Sequence, residues 1–213
     1  MEIKNELALI LGIRGSGKTS LTKILSLTRN RVIVLDRMRD YQTEKQIIGY
    51  NDFAKEWSQI FSHSEFYCVV HFKKGQSAEA FQEESNNILR LIYETSDRQH
   101  SQGVRLDTLI VIEELQFYCT PYFIIPYLKE CILTGRHYGI GMIANTQRPA
   151  NIHGDFKGNA DHIFAGQLAF KADVQYLRDS ILQDDANRCF TLPKFNFLYK
   201  TFNAPVIQIQ SNQ

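Results

Sequence analysis

No stretch of the sequence reaches about 18 uninterrupted apolar residues, so nothing in it reads as a membrane-spanning helix. The apolar run near its start, MEIKNELALILG, is too short for a span or a secretory leader, and it enters a glycine-rich loop directly. Cysteine is sparse and scattered. Cys68, Cys119, Cys131 and Cys189 form no C-x-x-C pair and no Cys/His cluster of zinc spacing. They read as reduced, buried thiols of an intracellular protein. The six histidines show no metal-ligand spacing either, and His63 and His71 read as structural or exposed. There is no excess charge of one sign: 24 Lys and Arg stand against 23 Asp and Glu. That balance excludes a histone-like coating of nucleic acid, while leaving room for a local basic channel. No Pro/Gly/Ser linker, internal repeat or low-complexity segment divides the chain, so residues 1–213 are expected to form one domain.

What is present is enough apolar material for a core: 44% hydrophobic residues against 22% charged. Short apolar runs alternate with amphipathic stretches, the pattern of βαβ units and a mainly parallel sheet flanked by helices. Strands are expected at Leu7–Leu11, Val32–Leu35, Phe66–Phe72, Thr108–Ile112, Ile140–Asn145 and His162–Ala165. Helices are expected at Ser20–Leu27, Asp52–Phe61, Ala78–Thr95, Tyr122–Leu133 (entered through Pro121 and interrupted near Pro126) and Ala172–Leu182. Ser96–Arg105 is polar and aperiodic and reads as a surface loop. Phe195–Lys200 and Pro205–Gln210 alternate like a C-terminal β-hairpin, after which Ser211–Gln213 should fray.

The first strand runs into GIRGSGKT, Gly12–Thr19, which fits the G-x-x-x-x-G-K-[ST] pattern between a strand and a helix. Its physics is that of a phosphate cradle. Glycines at 12, 15 and 17 let the backbone wrap an anion, and the N–H groups of Ile13, Arg14, Gly15, Ser16 and the following helix start face it. Lys18 places a point charge on the β- and γ-phosphates, Thr19 supplies a hydroxyl to Mg²⁺, and Ser20 closes the binding stretch. ATP and Mg²⁺ are therefore the expected cofactors. Hydrolysis needs an acid to hold the metal and a group to activate water. The strand LDTLIVIEEL, Leu106–Leu115, ends in both: Glu113 is assigned to Mg²⁺ through water, and Glu114 to polarising the nucleophilic water. A later strand ends in Thr146, Gln147 and Arg148. In a parallel sheet that end shares an edge with the phosphate loop, where Gln147 would sense the γ-phosphate. Arg136, in a Gly-flanked turn, suits a finger that reaches a neighbouring subunit's nucleotide. Arg136 and Arg148 also fit ordinary surface charges.

These pieces together resemble the FtsK/HerA superfamily of DNA-pumping ATPases. The resemblance rests on GIRGSGKT, VLDRMRDY (Val34–Tyr41), IVIEE (Ile110–Glu114), GRHYGI (Gly135–Ile140), NTQRP (Asn145–Pro149) and NADHIFAG (Asn159–Gly166). VLDRMRDY matches the family's D-P-x-G-E-Y segment only in part, with Arg37, Arg39 and Asp40 replacing Pro, Gly and Glu. The resemblance implies Lys18 and Thr19 as the phosphate-loop pair, Glu113 and Glu114 as the acidic pair, Gln147 as the sensor and Arg136 as the arginine acting in trans. It also implies a homo-hexameric ring threading double-stranded DNA. The chain lacks the additional domains of cellular members, and so resembles the minimal genome-packaging ATPases of membrane-containing icosahedral viruses. A capsid or portal partner, and a place in the host cytoplasm or at the packaging vertex of the virion, would follow. Cellular or plasmid DNA transfer, a small-molecule phosphotransferase and a nucleotide-regulated assembly protein are the alternatives. Nucleic-acid contacts are weakly marked. Lys73–Lys74 and the Arg98, His100, Arg105 group could line a pore or form solvated faces. Tyr118, Tyr122, Phe123 and Tyr127 recur near helical spacing and read as core or subunit packing.

Overall fold

The computed structural model describes residues 5–42, 46–201 and 204–211. In chain order the strands are β1 (Leu7–Leu11), β2 (Arg31–Asp36), β3 (Ile47–Ile48), β4 (Phe66–His71), β5 (Thr108–Ile112), β6 (Cys119–Thr120), β7 (Phe123–Ile124), β8 (Ile140–Thr146), β9 (His162–Ala165), β10 (Asn196–Thr201) and β11 (Ile207–Gln210). The helices are α1 (Lys18–Ser26), α2 (Gly49–Ser62), α3 (Ala78–Ser101), α4 (Pro126–Leu133), α5 (Gly154–Asn159) and α6 (Lys171–Leu177). Nine strands form one sheet in the order β11-β10-β9-β1-β8-β5-β2-β4-β3. The pairs from β9 through β3 are parallel, and β10 and β11 add an antiparallel hairpin at the far edge.

The central strands are mainly apolar because both their faces are covered, with polar residues confined to their ends. Every residue of β1, β5 and β8 is buried. Alternate side chains feed two unequal layers. Leu9, Leu11, Ile110 and Ile112 join the larger core, where Phe53 and Trp57 of α2, Phe81 and Ile88 of α3, and Leu128 of α4 pack. Ala8, Ile10, Leu109 and Val111 face the smaller core under Leu21 and Leu25 of α1. All four cysteines are buried, and none is bridged to another. Among the described residues no helix is long and apolar enough to cross a membrane.

Several boundaries depart from the sequence reading. The polar stretch after Thr95 is not a loop at first: α3 runs on to Ser101. Ser96 lies buried on the docked face, and the helix ends only where Gly103 (φ 76°) donates its N–H to the His100 carbonyl. A helix already docked along its length propagates cheaply into polar sequence, and glycine in the left-handed region supplies the stop. Tyr122–Leu133 is not one helix. Phe123–Ile124 pair with Cys119–Thr120 in a small hairpin, and α4 starts at Pro126. Proline favours the first helical position and keeps the residue before it extended, which is where Ile125 sits at ψ 139°. Tyr118 is therefore core, whereas Tyr122 is 96% exposed at the hairpin tip, so the aromatic run does not share a helical face. Finally, α6 stops at Leu177 and passes through a π-turn (Arg178–Leu182) into a 3-10 segment (Gln183–Phe190). Ser211 does not fray: its N–H donates to the Phe195 carbonyl at 2.8 Å, while residues 212 and 213 lie outside the described residues.

Candidate active site

Parallel pairing aligns the strand ends that carry the predicted chemistry. Leu11 stands beside Thr146, and Ile112 beside Ala144, so the segments after β1, β5 and β8 emerge together on one sheet edge. The loop after β1 turns at Gly12, where a Cβ would stand 2.6 Å from the Ser16 hydroxyl oxygen. The loop is tied to neighbouring strands through its backbone. Gly12 N–H donates to Thr146 O (3.2 Å) and Ile13 N–H to Gln167 O (2.8 Å). Gly17 caps α1 in the left-handed conformation and offers no side chain to the first turn, so the amides there remain available to an anion. The Ser16 hydroxyl is buried without a partner. Lys18 is 7% exposed, and its Nζ donates to Ile13 O at 3.2 Å. Burial lowers the Lys18 pKa, and the negative charge of Glu114, Glu113 and Asp40 works the other way. An orphaned hydroxyl, an uncapped helix start and a buried ammonium fit a phosphate chain.

Glu113, just past β5, is 2% exposed. Tyr41 Oη donates to its Oε1 at 2.7 Å, and Asn145 Nδ2 donates to its Oε2 at 2.5 Å. Burial raises the Glu113 pKa, and those two donors oppose the rise. Tyr41 arrives because the segment after β2 folds back: its backbone N–H donates to Asp36 Oδ2 (2.8 Å), which also stands 3.5 Å from His71 Nδ1. The partly matched VLDRMRDY segment thus delivers a phenol to the acidic strand end.

Glu114 adopts φ 57°, ψ 62°, a left-handed conformation uncommon for a residue with a Cβ. Its N–H donates to Asn145 Oδ1 at 3.0 Å. The Asn145 side chain therefore grips both glutamates, Glu113 at its carboxylate and Glu114 at its backbone N–H. The Glu114 carboxylate accepts from Gln147 Nε2 at one oxygen and from Gln116 Nε2 at the other, each at 2.6 Å. The Gln116 amide orientation follows from its other partner. Arg148 N–H donates to Thr146 Oγ1 (3.1 Å), and that hydroxyl donates to Gln116 Oε1 (2.7 Å), leaving Nε2 for Glu114. Beyond this network Arg148 Nε pairs with buried Asp173 of α6 at 3.1 Å, and Asp173 also accepts from Ala150 N–H at 3.0 Å.

Gly12–Ser20, Glu113, Glu114 and Gln147 thus meet at one place. Arg136 does not. It is exposed in the turn Gly135–Tyr138 that precedes β8, at the opposite end of the strand that carries Gln147, roughly 20 Å away at strand spacing. Within one chain it serves no phosphate on this loop. Exposed Lys73 and Lys74 follow β4 on the phosphate-loop edge, whereas Arg98 and His100 end α3 on the other. The two basic groups therefore do not share a surface. Sequence reasoning assigned no role to Tyr41, Gln116 or Asn145. Tyr41 and Asn145 lie inside quoted motifs, but their partners are tertiary. Among the described residues no group of three or more His, Cys, Asp or Glu is placed to hold a metal ion. A cation here would be held by Thr19, by Glu113 and by ligand oxygens.

No family model and no curated protein matches the sequence. Solved structures do. The chain is similar to the genome packaging NTPase B204 from Sulfolobus turreted icosahedral virus 2 in complex with AMPPCP, at TM-score 0.70 and 19% identity, covering 98% of this chain and 99% of that one. It is similar to VirB4 of Thermoanaerobacter pseudethanolicus at TM-score 0.69 and 11% identity, over 97% of this chain and 89% of the other. It is similar to the plasmid coupling protein TrwB, in complex with a non-hydrolysable GTP analogue, at TM-score 0.67 and 11% identity, covering 98% and 85%. At these identities the likeness establishes the fold, that of a P-loop NTPase with a mostly parallel sheet and an antiparallel C-terminal hairpin.

Proposed function

We propose that this protein is an ATP-hydrolysing double-stranded DNA translocase of the FtsK/HerA type, serving as a viral genome-packaging motor. The observation that carries the reading is the convergence of Lys18, Glu113, Glu114 and Gln147 on one sheet edge, with Gln147 already bonded to Glu114. The loop Gly12–Ser20 holds the triphosphate through its amides, and Lys18 neutralises charge that builds on it. Thr19 and Glu113 would hold Mg²⁺, which would supply further charge neutralisation. Glu113 acts through water, since Tyr41 and Asn145 already engage both its oxygens. Glu114 accepts the proton of the attacking water. Its two amide donors occupy one lone pair on each oxygen and leave others for that proton, and Gln147, adjacent to the loop, is the donor that exchanges with nucleotide state. That exchange passes through Arg148 and Asp173 to α6, a route from nucleotide state to movement.

Arg136 of the adjacent subunit completes the site in a homo-hexameric ring, which its distance from its own phosphate loop requires if it acts at all. The ring surrounds duplex DNA and docks on a capsid or portal protein, in the host cytoplasm or at the packaging vertex. The match in length and fold to a packaging NTPase supports packaging. The likeness to VirB4 and TrwB supports plasmid DNA transfer as the second reading.

Steady-state ATP hydrolysis with and without double-stranded DNA, with oligomeric state followed in the same samples, tests the function. Several-fold stimulation of an assembled ring is expected. A ring indifferent to DNA, or phosphate transfer to a small acceptor, contradicts it.

A further inference from the structure

Phe195 opens the C-terminal hairpin, yet it lies against the phosphate loop. Its N–H donates to Ser16 O at 2.9 Å. Its ring covers Gly17 so closely that a Cβ on that glycine would stand 2.6 Å from Phe195 Cδ1 and 3.2 Å from Phe195 Cα. Phe195 holds φ 62°, a left-handed conformation that a bulky side chain rarely adopts. Something must over-determine that conformation, and two bonds do. The N–H is fixed on Ser16, and the carbonyl accepts from Ser211 N–H (2.8 Å), at the far end of β11. The hairpin β10–β11 is therefore clasped at its open end around Phe195, and Phe195 is clasped to the loop.

The contact falls where loop geometry matters most. Ser16 and Gly17 immediately precede Lys18, and Gly17 is the N-cap of α1, with no side chain to cap it. Gly17 φ is 99°, a value glycine alone holds without strain, but glycine also has the widest choice of other conformations. A ring packed on one side removes part of that choice before any ligand arrives.

We infer that Phe195 is a positioning residue for nucleotide binding: its ring and N–H pre-set Ser16 and Gly17, and make the C-terminal hairpin part of the phosphate site. The inference rests on the reading of Gly12–Thr19 as the triphosphate cradle. Phe195 touches the loop backbone and acts through it, so its loss should appear in affinity rather than in the chemical step. By thermodynamic reciprocity, occupation of the loop should also steady the hairpin.

Equilibrium ATP binding and steady-state kinetics on Phe195→Ala and Phe195→Leu test it, with Lys18→Ala as the control for the cradle. Phe195→Ala should weaken ATP binding about tenfold and raise KM in step, with kcat at saturation near wild type, because pre-organisation is lost rather than chemistry. Phe195→Leu should recover most of the affinity by restoring an apolar cover. Hydrogen exchange on the unaltered protein gives a second reading that does not depend on the variants folding. ATP should slow exchange in the segment 193–211. Phe195→Ala that melts like wild type and binds ATP equally well overturns the inference alone, as does a hairpin whose exchange ignores ATP. Wild-type protein that binds no ATP, or Lys18→Ala that binds as well as wild type, overturns the cradle reading and the inference with it.

Discussion

Glu114→Gln is expected to bind ATP with near wild-type affinity and to hydrolyse it at least about 100-fold more slowly, the range for losing a positioned general base. The substitution is nearly isosteric, and the surrounding network tolerates it. Gln116 is fixed as a donor by the Thr146 hydroxyl, so the new side-chain oxygen turns toward Gln116. Its amide then faces Gln147, whose side chain has no second hydrogen-bond partner among the described residues and can rotate to present oxygen. Fold and affinity are thereby spared, while the capacity to take a proton is lost. Fluorescent-nucleotide binding and phosphate release on the same preparation separate the two effects. Turnover close to wild type removes Glu114 from its role. Loss of binding along with turnover shows instead that the carboxylate is needed to build the site.

Arg136→Ala and Lys18→Ala should each be inactive alone and regain turnover when mixed. Arg136 stands at the opposite end of β8 from Gln147, too far to reach the phosphate loop of its own chain. If it acts, it acts on a neighbour, where an arginine finger contributes about 10³-fold or more to turnover. Arg136→Ala subunits keep an intact loop, and Lys18→Ala subunits keep an intact arginine. In a randomly mixed ring, whose head-to-tail contacts pair one subunit's loop with the next subunit's arginine, about one interface in four is then complete. Turnover above the sum of the separate variants, in rings shown by mass to be mixed, is the expected result. Mixed rings without recovery leave Arg136 as a surface charge.

The parts of this site legible in the sequence are those whose chemistry is written in consecutive residues. GIRGSGKT announces its loop because every residue from Gly12 to Thr19 contributes to one short backbone turn. Glu113 and Glu114 are readable because β5 is apolar from Leu109 to Ile112 and stops abruptly at them. Gln147 was placed by a topological argument, that parallel strands bring their C-terminal ends to one edge, and the pairing of Leu11 with Thr146 bears that out. What stayed hidden depends on contacts distant in sequence. Tyr41 reaches Glu113 across 72 positions, and Asn145 reaches it across 32. Tyr41 closes the quoted VLDRMRDY segment, but nothing local says that its hydroxyl is bound for Glu113. Gln116 looks like any polar residue after a strand until Thr146 orients it. Phe195 resembles the first residue of an ordinary strand, and its left-handed backbone follows from the clasp of Ser16 and Ser211. The boundary errors have the same origin. The polar, aperiodic stretch after Thr95 is carried into helix by the docking of α3, and the aromatic spacing around Tyr122 suggests a helix where proline chemistry enforces a hairpin and a later start.

Translocation is the central claim, and displacement of a triplex-forming oligonucleotide from duplex DNA tests it most directly. The assay reports movement along DNA rather than hydrolysis or binding. Wild-type protein with ATP and Mg²⁺ is expected to strip the third strand, while Glu114→Gln under the same conditions leaves it in place. A wild-type ring that hydrolyses ATP, binds the duplex and never displaces the third strand would contradict the motor and leave a DNA-associated ATPase in its place.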